Sequence, residues 1–214
     1  ALETNGNPWN ISRQDRAEWA AGLDVPTMAD KPDAQVLFWV GCAASYDDRA
    51  KKIARSMVRL LKQAKVDFAI LGTEETCTGD PARRAGNEHL FLTLAEQNVA
   101  ALNQYKPRQI VTTCPHCFNT LKNEYPQMGG NYDVEHHTTY LDKLLKDNKI
   151  HVDQSKAKAL GLVTYHDSCY LGRYNDVYSA PRSILEKATG GRVVEAIDHK
   201  SRGLCCGAGG AQMW

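Results

Sequence analysis

Seven cysteines punctuate this chain of 214 residues in a pattern that occurs twice, and that pattern narrows the fold more than any other feature. Cys42 and Cys77 have 34 residues between them, and Cys169 and Cys205 have 35. In each copy the first cysteine follows an apolar run of strand length. A helical pattern and a second apolar run then lead to the next cysteine. Two units of the same order and nearly the same length are an internal duplication, which outweighs any single motif within them.

The stretches between the cysteines supply the elements. Val36-Leu37-Phe38-Trp39-Val40 is a continuous apolar run ending at Gly41-Cys42, as expected of a buried strand that opens into a loop. Asp47 or Asp48 can cap a helix through about Lys65, with Ile53, Met57, Leu60, Leu61 and Ala64 on one face. Phe68-Ala69-Ile70-Leu71 predicts a second buried strand before Cys77-Thr78-Gly79-Asp80-Pro81. A helix is predicted from about Ala82 to Tyr105, and Gln109-Ile110-Val111-Thr112-Thr113 predicts a strand that delivers Cys114. In the second half Leu162–Tyr165 and Arg192–Glu195 are predicted as strands around a helix from about Val177 to Ala188, with Cys169 and Cys205-Cys206-Gly207 in the loops that follow. Strand and helix alternate, which implies an α/β fold with a mainly parallel sheet. Residues 1–34 are polar, are broken by Pro8, Pro26 and Pro32, and carry a short helical pattern around Asp15–Leu23. They are expected to be a connector entering the domain.

Composition bears on what the thiols are for. Lys plus Arg number 26 against 25 Asp plus Glu, a formal net charge of +1, so no large field recommends nucleic acid or an anionic membrane as partner. No run approaches the ~20 apolar residues of a membrane span, and the N-terminus lacks a charged region followed by an apolar one. The chain is therefore expected to be soluble and unexported. In a reducing compartment cysteines persist as metal ligands or reactive groups, and an odd count argues further against a disulfide framework.

Cys114-Pro115-His116-Cys117 sets two thiols one turn apart at a strand-to-helix junction, where the helix N-terminus favours thiolate. Alone, C-x-x-C describes a thioredoxin-type redox pair or half of a zinc site equally well. Its distant companions separate these readings. The C-terminal ends of parallel strands converge on one edge of a sheet, so Cys42, Cys77, Cys114 and Cys117 can meet there, and four thiolates meet the usual demand of an iron–sulfur cluster. Adjacent Cys205 and Cys206 suit neighbouring irons better than one tetrahedral zinc, and Gly207, Gly209 and Gly210 let the backbone approach a bulky cofactor. The ordinary readings are small core cysteines and structural zinc held by Cys42, Cys77, Cys114 and Cys117 in an interaction module. His116 and His166 are candidates to donate to cluster sulfur or to replace a ligand, against the plainer reading of core or surface histidine. His136-His137 is expected to pack or cap, and Arg83-Arg84 to be a solvated helix start.

Assembled in this way, the chain resembles the cysteine-rich CCG domain family of heterodisulfide reductase-like iron–sulfur oxidoreductases. The family pattern is Cys, a gap of thirty-odd residues, Cys-Cys-Gly, a similar gap and Cys-x-x-Cys, usually twice. Here copy one is Cys42, Cys77-Thr78-Gly79 and Cys114-x-x-Cys117; copy two is Cys169 and Cys205-Cys206-Gly207. The stretches Cys77–Arg84, His166–Arg173 and Cys205–Gly210 look closest to the branch linked to electron-transfer flavoprotein and quinone. The resemblance implies an iron–sulfur cluster of the [4Fe–4S] type, cubane or noncubane, bound by Cys42, Cys77, Cys114, Cys117, Cys169, Cys205 and Cys206. It implies one-electron relay from a donor such as electron-transfer flavoprotein toward quinone, with disulfide reduction at the cluster as the alternative. It also implies a membrane-associated parent protein, on the cytoplasmic side, whose membrane modules lie outside this chain. Two departures stand out. Thr78 occupies the second cysteine position of the first CCG, and no second Cys-x-x-Cys occurs before Trp214. The expectation is thus two pseudo-repeated Rossmann-like units, cysteines in loops at strand C-terminal ends, with 1–34 a linker, 35–155 the first repeat and 156–214 a second, truncated one.

Overall fold

The structure is a computed structural model that describes residues 1–209 and 211–212. Gly210, named above among the cluster-loop glycines, lies outside the described residues. In chain order the elements are α1 (Leu2–Asn5), β1 (Val36–Trp39), α2 (Gly41–Tyr46), α3 (Asp48–Gln63), β2 (Phe68–Ala69), α4 (Asp80–Arg84), α5 (Glu88–Tyr105), β3 (Gln109–Thr112), α6 (Pro115–Asn119), β4 (Val134–His136), α7 (His137–Lys146), α8 (Gln154–Ala157) and α9 (Ser179–Thr189).

The four strands form one sheet in the order β2-β1-β3-β4, and every pairing is parallel. All four residues of β1 are buried, as a strand covered on both faces requires. Alternate side chains go to opposite layers. Leu37, Trp39 and Ile110 pack with Phe91, Leu102, Phe118 and Tyr125 on one side. Phe38 and Val111 pack with Met57, Leu61, Leu141 and Leu144 on the other. The result is a helix–sheet–helix sandwich whose strand ends β1, β2 and β3 open on one edge.

Local chemistry sets the helix boundaries. The Asp47 side chain accepts from the Ala50 amide at 2.8 Å and starts α3. Its buried face is Ala54, Met57, Val58 and Leu61. This is one position round from the expected stripe, and Ile53 is half exposed. The single helix expected over 82–105 is two helices. Gly86 at φ 84° and Asn87, which accepts from the Leu90 amide at 3.0 Å, interrupt it. A left-handed glycine followed by a strong N-cap residue overrides the continuous apolar periodicity.

Residues 1–34 pack onto this sandwich. Trp19 is buried and meets Phe38 edge to face with ring centroids 6.2 Å apart. Thr27 bridges Ile70 in parallel, continuing the sheet edge beyond β2, and Met28 is fully buried.

In the second half the helix is present as α9, but the two expected strands reduce to one parallel bridge, Val163 to Val193. Leu162, Val194 and Ile197 are exposed. A strand in a parallel sheet needs partners and cover on both faces; among the described residues the backbones of these two segments pair only with each other, and Arg182 of α9 meets Glu195 and the Tyr165 ring. The order of elements repeats, while a second sheet does not form among the described residues.

Candidate metal centre

The edge where β1, β2 and β3 end gathers the four cysteines of the first copy. Gly41 leaves β1 at φ 79°, and Cys42 follows in the first turn of α2. A side chain at Gly41 would have its Cβ 3.3 Å from Cys117 Sγ, so glycine lets the backbone come up to the thiol. Cys77 comes after β2 and the tight turn Gly72–Glu74. Cys114 is the N-cap residue of α6, and Cys117 lies inside that helix. Cys42 and Cys117 thus sit on short helices rather than in the loops expected for them.

These four cysteines line a single cavity of about 160 Å³. Cys42, Cys77 and Cys117 are buried and Cys114 is half-buried. The thiols pair within the cavity. A hydrogen bond from Cys77 brings Cys42 below the ordinary thiol range against the effect of burial, with Arg16 adding to it. The same pairing and burial push Cys77 well up. Cys114 is brought down to about 6, chiefly by the hydrogen bond from Cys117 and then by His116 and the α6 amides, while burial opposes. Two thiols held toward thiolate beside two held protonated form a donor set of soft sulfur ligands, and each remaining proton leaves on metal binding. Among the described residues no three His, Cys, Asp or Glu side chains converge as ligands of a single metal ion. A multi-iron cluster sets its thiolates on separate irons, so four sulfurs lining one cavity fit that group.

The surroundings are built from both halves of the chain. Asp80 takes His116 Nδ1 at 2.8 Å, and both line the cavity. Burial works against charge on His116, but Asp80 and then Cys114 raise its pKa above the ordinary value. Pro8 and Trp9 line the cavity from the N-terminal segment, and Ala208 and Gly209 line it from the loop after Cys205-Cys206-Gly207. Arg84 pairs with Asp80 at 3.0 Å and with Glu124, and Arg83 pairs with Glu124 at 2.9 Å. That pair is therefore half-buried structure, not the solvated helix start expected from sequence.

Beneath the Cys77 turn, Asn98 of α5 is fully inside. Its Oδ1 accepts from the Thr76 amide at 3.1 Å and Thr76 Oγ1 at 3.0 Å, and its Nδ2 donates to the Cys77 carbonyl and to Tyr125 Oη, both at 3.0 Å. Tyr125 Oη in turn donates to the Thr78 carbonyl at 3.2 Å. The following Gly79 sits at φ 85°, where a Cβ would lie 2.9 Å from the Phe91 ring and 3.1 Å from its carbonyl. Thr78 itself is buried and lines the cavity, offering a hydroxyl where the family pattern has a thiol.

The remaining three cysteines stand apart. Cys169 is half-buried, Cys205 and Cys206 are exposed, and none lines this cavity. Their loops adjoin, because His166 Nε2 meets the Leu204 carbonyl at 2.8 Å and Arg173 Nη1 donates to the Gly203 carbonyl at 2.6 Å. His166 therefore ties two loops together. His136 caps α7, its Nδ1 within 2.8 Å of Thr138 Oγ1 and its Nε2 3.2 Å from the Thr113 carbonyl. Sequence reasoning passed over Arg16, Glu75 and Asn98. The first lies in a stretch that reads as a connector, and the other two carry no spacing signal that links them to a cysteine.

The family description "Cysteine-rich domain" (CCG) matches residues 36–122 and 163–214. The chain is 48% identical over 219 residues to the EtfAB:quinone oxidoreductase of Syntrophomonas wolfei, covering 100% of this chain and 30% of that protein. It is 43% identical to the probable iron–sulfur-binding oxidoreductase FadF of Bacillus subtilis, covering 100% of this chain and 31% of the relative. It is 34% identical to one component of the dihydromethanophenazine:CoB–CoM heterodisulfide reductase of Methanosarcina mazei, covering 95% of this chain and 49% of that component. The chain thus spans less than half the length of each of these relatives. No solved structure matches it.

Proposed function

The chain belongs to the cysteine-rich CCG domain family, and on that premise we propose that it is an iron–sulfur electron-transfer domain within a larger oxidoreductase. The observation that carries this reading is the gathering of Cys42, Cys77, Cys114 and Cys117, from three strand ends, around one cavity. These four would hold the cluster, and such a group supplies one-electron redox chemistry when bound. The chain's own residues do the rest. Asn98 and Tyr125 fix the Cys77 turn from below, Gly41 and Gly79 let backbone approach where a side chain would collide, and Pro8 and Trp9 wall off part of the cavity from water. Cys169, Cys205 and Cys206, on adjoining loops, are assigned to a second site.

The donor in this reading is a flavoprotein of the electron-transfer type and the final acceptor a quinone, as the name of the Syntrophomonas relative states for that protein. Membrane association would come through other modules of the parent; no helix among the described residues is long and apolar enough to cross a membrane. Disulfide reduction at the cluster is the second reading, favoured by the heterodisulfide reductase relative. A hydroxyl at Thr78 in place of a fifth thiol counts against it.

The test is iron and acid-labile sulfide content with electron paramagnetic resonance on the anaerobically purified parent protein. Cys42→Ser and Cys117→Ser are expected to lose one cluster's iron and its signal. Zinc in place of iron, or iron content indifferent to both changes, would overturn the assignment.

A further inference from the structure

Arg16 lies in the N-terminal segment, 26 positions before Cys42, and only 2% of it is exposed. Its Nη1 donates to Cys42 Sγ at 3.6 Å. Its Nη2 donates to Glu75 Oε1 at 2.6 Å and to the Thr76 carbonyl at 3.4 Å, and its Cζ stands 5.8 Å from the centre of the Tyr46 ring. The guanidinium therefore touches both cysteine-bearing turns, the one at Cys42 and the one just before Cys77. It does not line the cavity that Cys42 lines, so it reaches the sulfur from outside that space.

Glu75 is equally buried and does two jobs. Its carboxylate accepts from the Val40 amide at 3.0 Å and the Gly41 amide at 2.8 Å, tying the backbone before Cys42 to the turn before Cys77. It also balances the Arg16 charge. A guanidinium serving only as counter-ion to Glu75 would have no need to direct its other amine at sulfur. Arginine presents its donors in a rigid fork and stays charged at any working pH, so this geometry places a permanent cation on one thiolate of the proposed cluster site.

We propose that Arg16 is a positioning residue of the metal centre, holding Cys42 sulfur and raising the reduction potential of the cluster bound there. The inference rests on the four-cysteine reading above. One-electron reduction adds one negative charge to the cluster, the electron arriving from the flavoprotein-class donor. A buried cation hydrogen-bonded to a ligand sulfur stabilises that added charge, which moves the equilibrium toward the reduced form.

The experiment is a potentiometric titration of the full-length protein, followed by electron paramagnetic resonance, with the relevant signal identified by its loss in Cys42→Ser. Arg16→Gln is expected to keep its iron and to lower the potential by at least a tenfold change in the reduction equilibrium, 59 mV for a one-electron couple. Arg16→Lys, which keeps the charge but not the fork, is expected to fall between. Should Arg16→Gln fail to fold because Glu75 is left buried and unpaired, the double change Arg16→Met with Glu75→Gln removes both charges together. It is expected to lower the potential as well, since the bond to sulfur is gone. An unchanged potential in an iron-replete Arg16→Gln or double variant would overturn the proposal and leave the four-cysteine reading intact. Wild-type protein without iron at that site would instead end the reading itself and the proposal with it.

Discussion

Asn98→Ala tests whether the Cys77 turn is held by the hydrogen bonds beneath it. The side chain makes four of them, and the change empties that position in a place with 1% exposure. Some partners can recover: Tyr125 Oη still donates to the Thr78 carbonyl, and Thr76 Oγ1 stays 3.4 Å from the Cys77 carbonyl. Among the described residues the Thr76 amide has no second acceptor, and a buried orphan donor costs ~1–3 kcal/mol. The weakened Cys77 carbonyl adds about 1 kcal/mol on the same scale, while exchanging asparagine for alanine within α5 returns roughly 0.5 kcal/mol of helix propensity. The net loss is about 1.5–3.5 kcal/mol, a factor of roughly 10 to 400 in the folding equilibrium. Denaturant unfolding should show a lower midpoint at unchanged slope. Iron should also be lost faster to a chelator, because the turn that presents Cys77 is the part released. A midpoint within about 0.5 kcal/mol of wild type, with normal iron retention, would refute the view that this network holds the turn, since that is the scatter of ordinary surface changes.

Gly79→Ala should destabilise by roughly 2 kcal/mol or more, since the new Cβ meets both a left-handed backbone and the Phe91 backbone, which cannot rotate away; a neutral melting temperature would show that α4 shifts freely. His136 bears on pH dependence. Burial first, and then the neighbouring His137, lower its pKa to about 3. The unfolded chain therefore binds a proton that the folded one refuses. The stability tied to neutral His136 is complete above ~6.5 and drains away as pH falls toward about 3, amounting to ~2–3 kcal/mol at pH 4.5. His136→Asn, which keeps an N-cap acceptor, should flatten that part of the stability curve between pH 6.5 and 4.5; an unchanged slope would mean that other groups set it.

Much of the first unit was legible because its signals are local. Val36–Trp39 is an apolar run of strand length and Gln109–Thr112 centres on β-branched Ile110 and Val111, and the helical patterns between them imply parallel crossovers. Parallel crossovers alone imply that Cys42, Cys77 and Cys114 approach a common edge. The Gly86-Asn87 break was also printed in the chain, but the apolar periodicity around it read as unbroken. Thr78 in place of a second cysteine, and the duplicated spacing, needed no coordinates at all.

What lay beyond the sequence depends on partners far away along it. Whether Leu162–Tyr165 and Arg192–Glu195 become strands turns on neighbours to cover them, and among the described residues they have one bridge. Arg16 and Glu75 are 59 positions apart, and each reads alone as an ordinary surface charge. Spacing determined which sulfurs could meet, because backbone geometry repeats with a local period. Only the tertiary structure decided that a supposed connector would bury an arginine against one of them, because the balance between desolvating a charge and pairing it is struck only once the chain has closed around both.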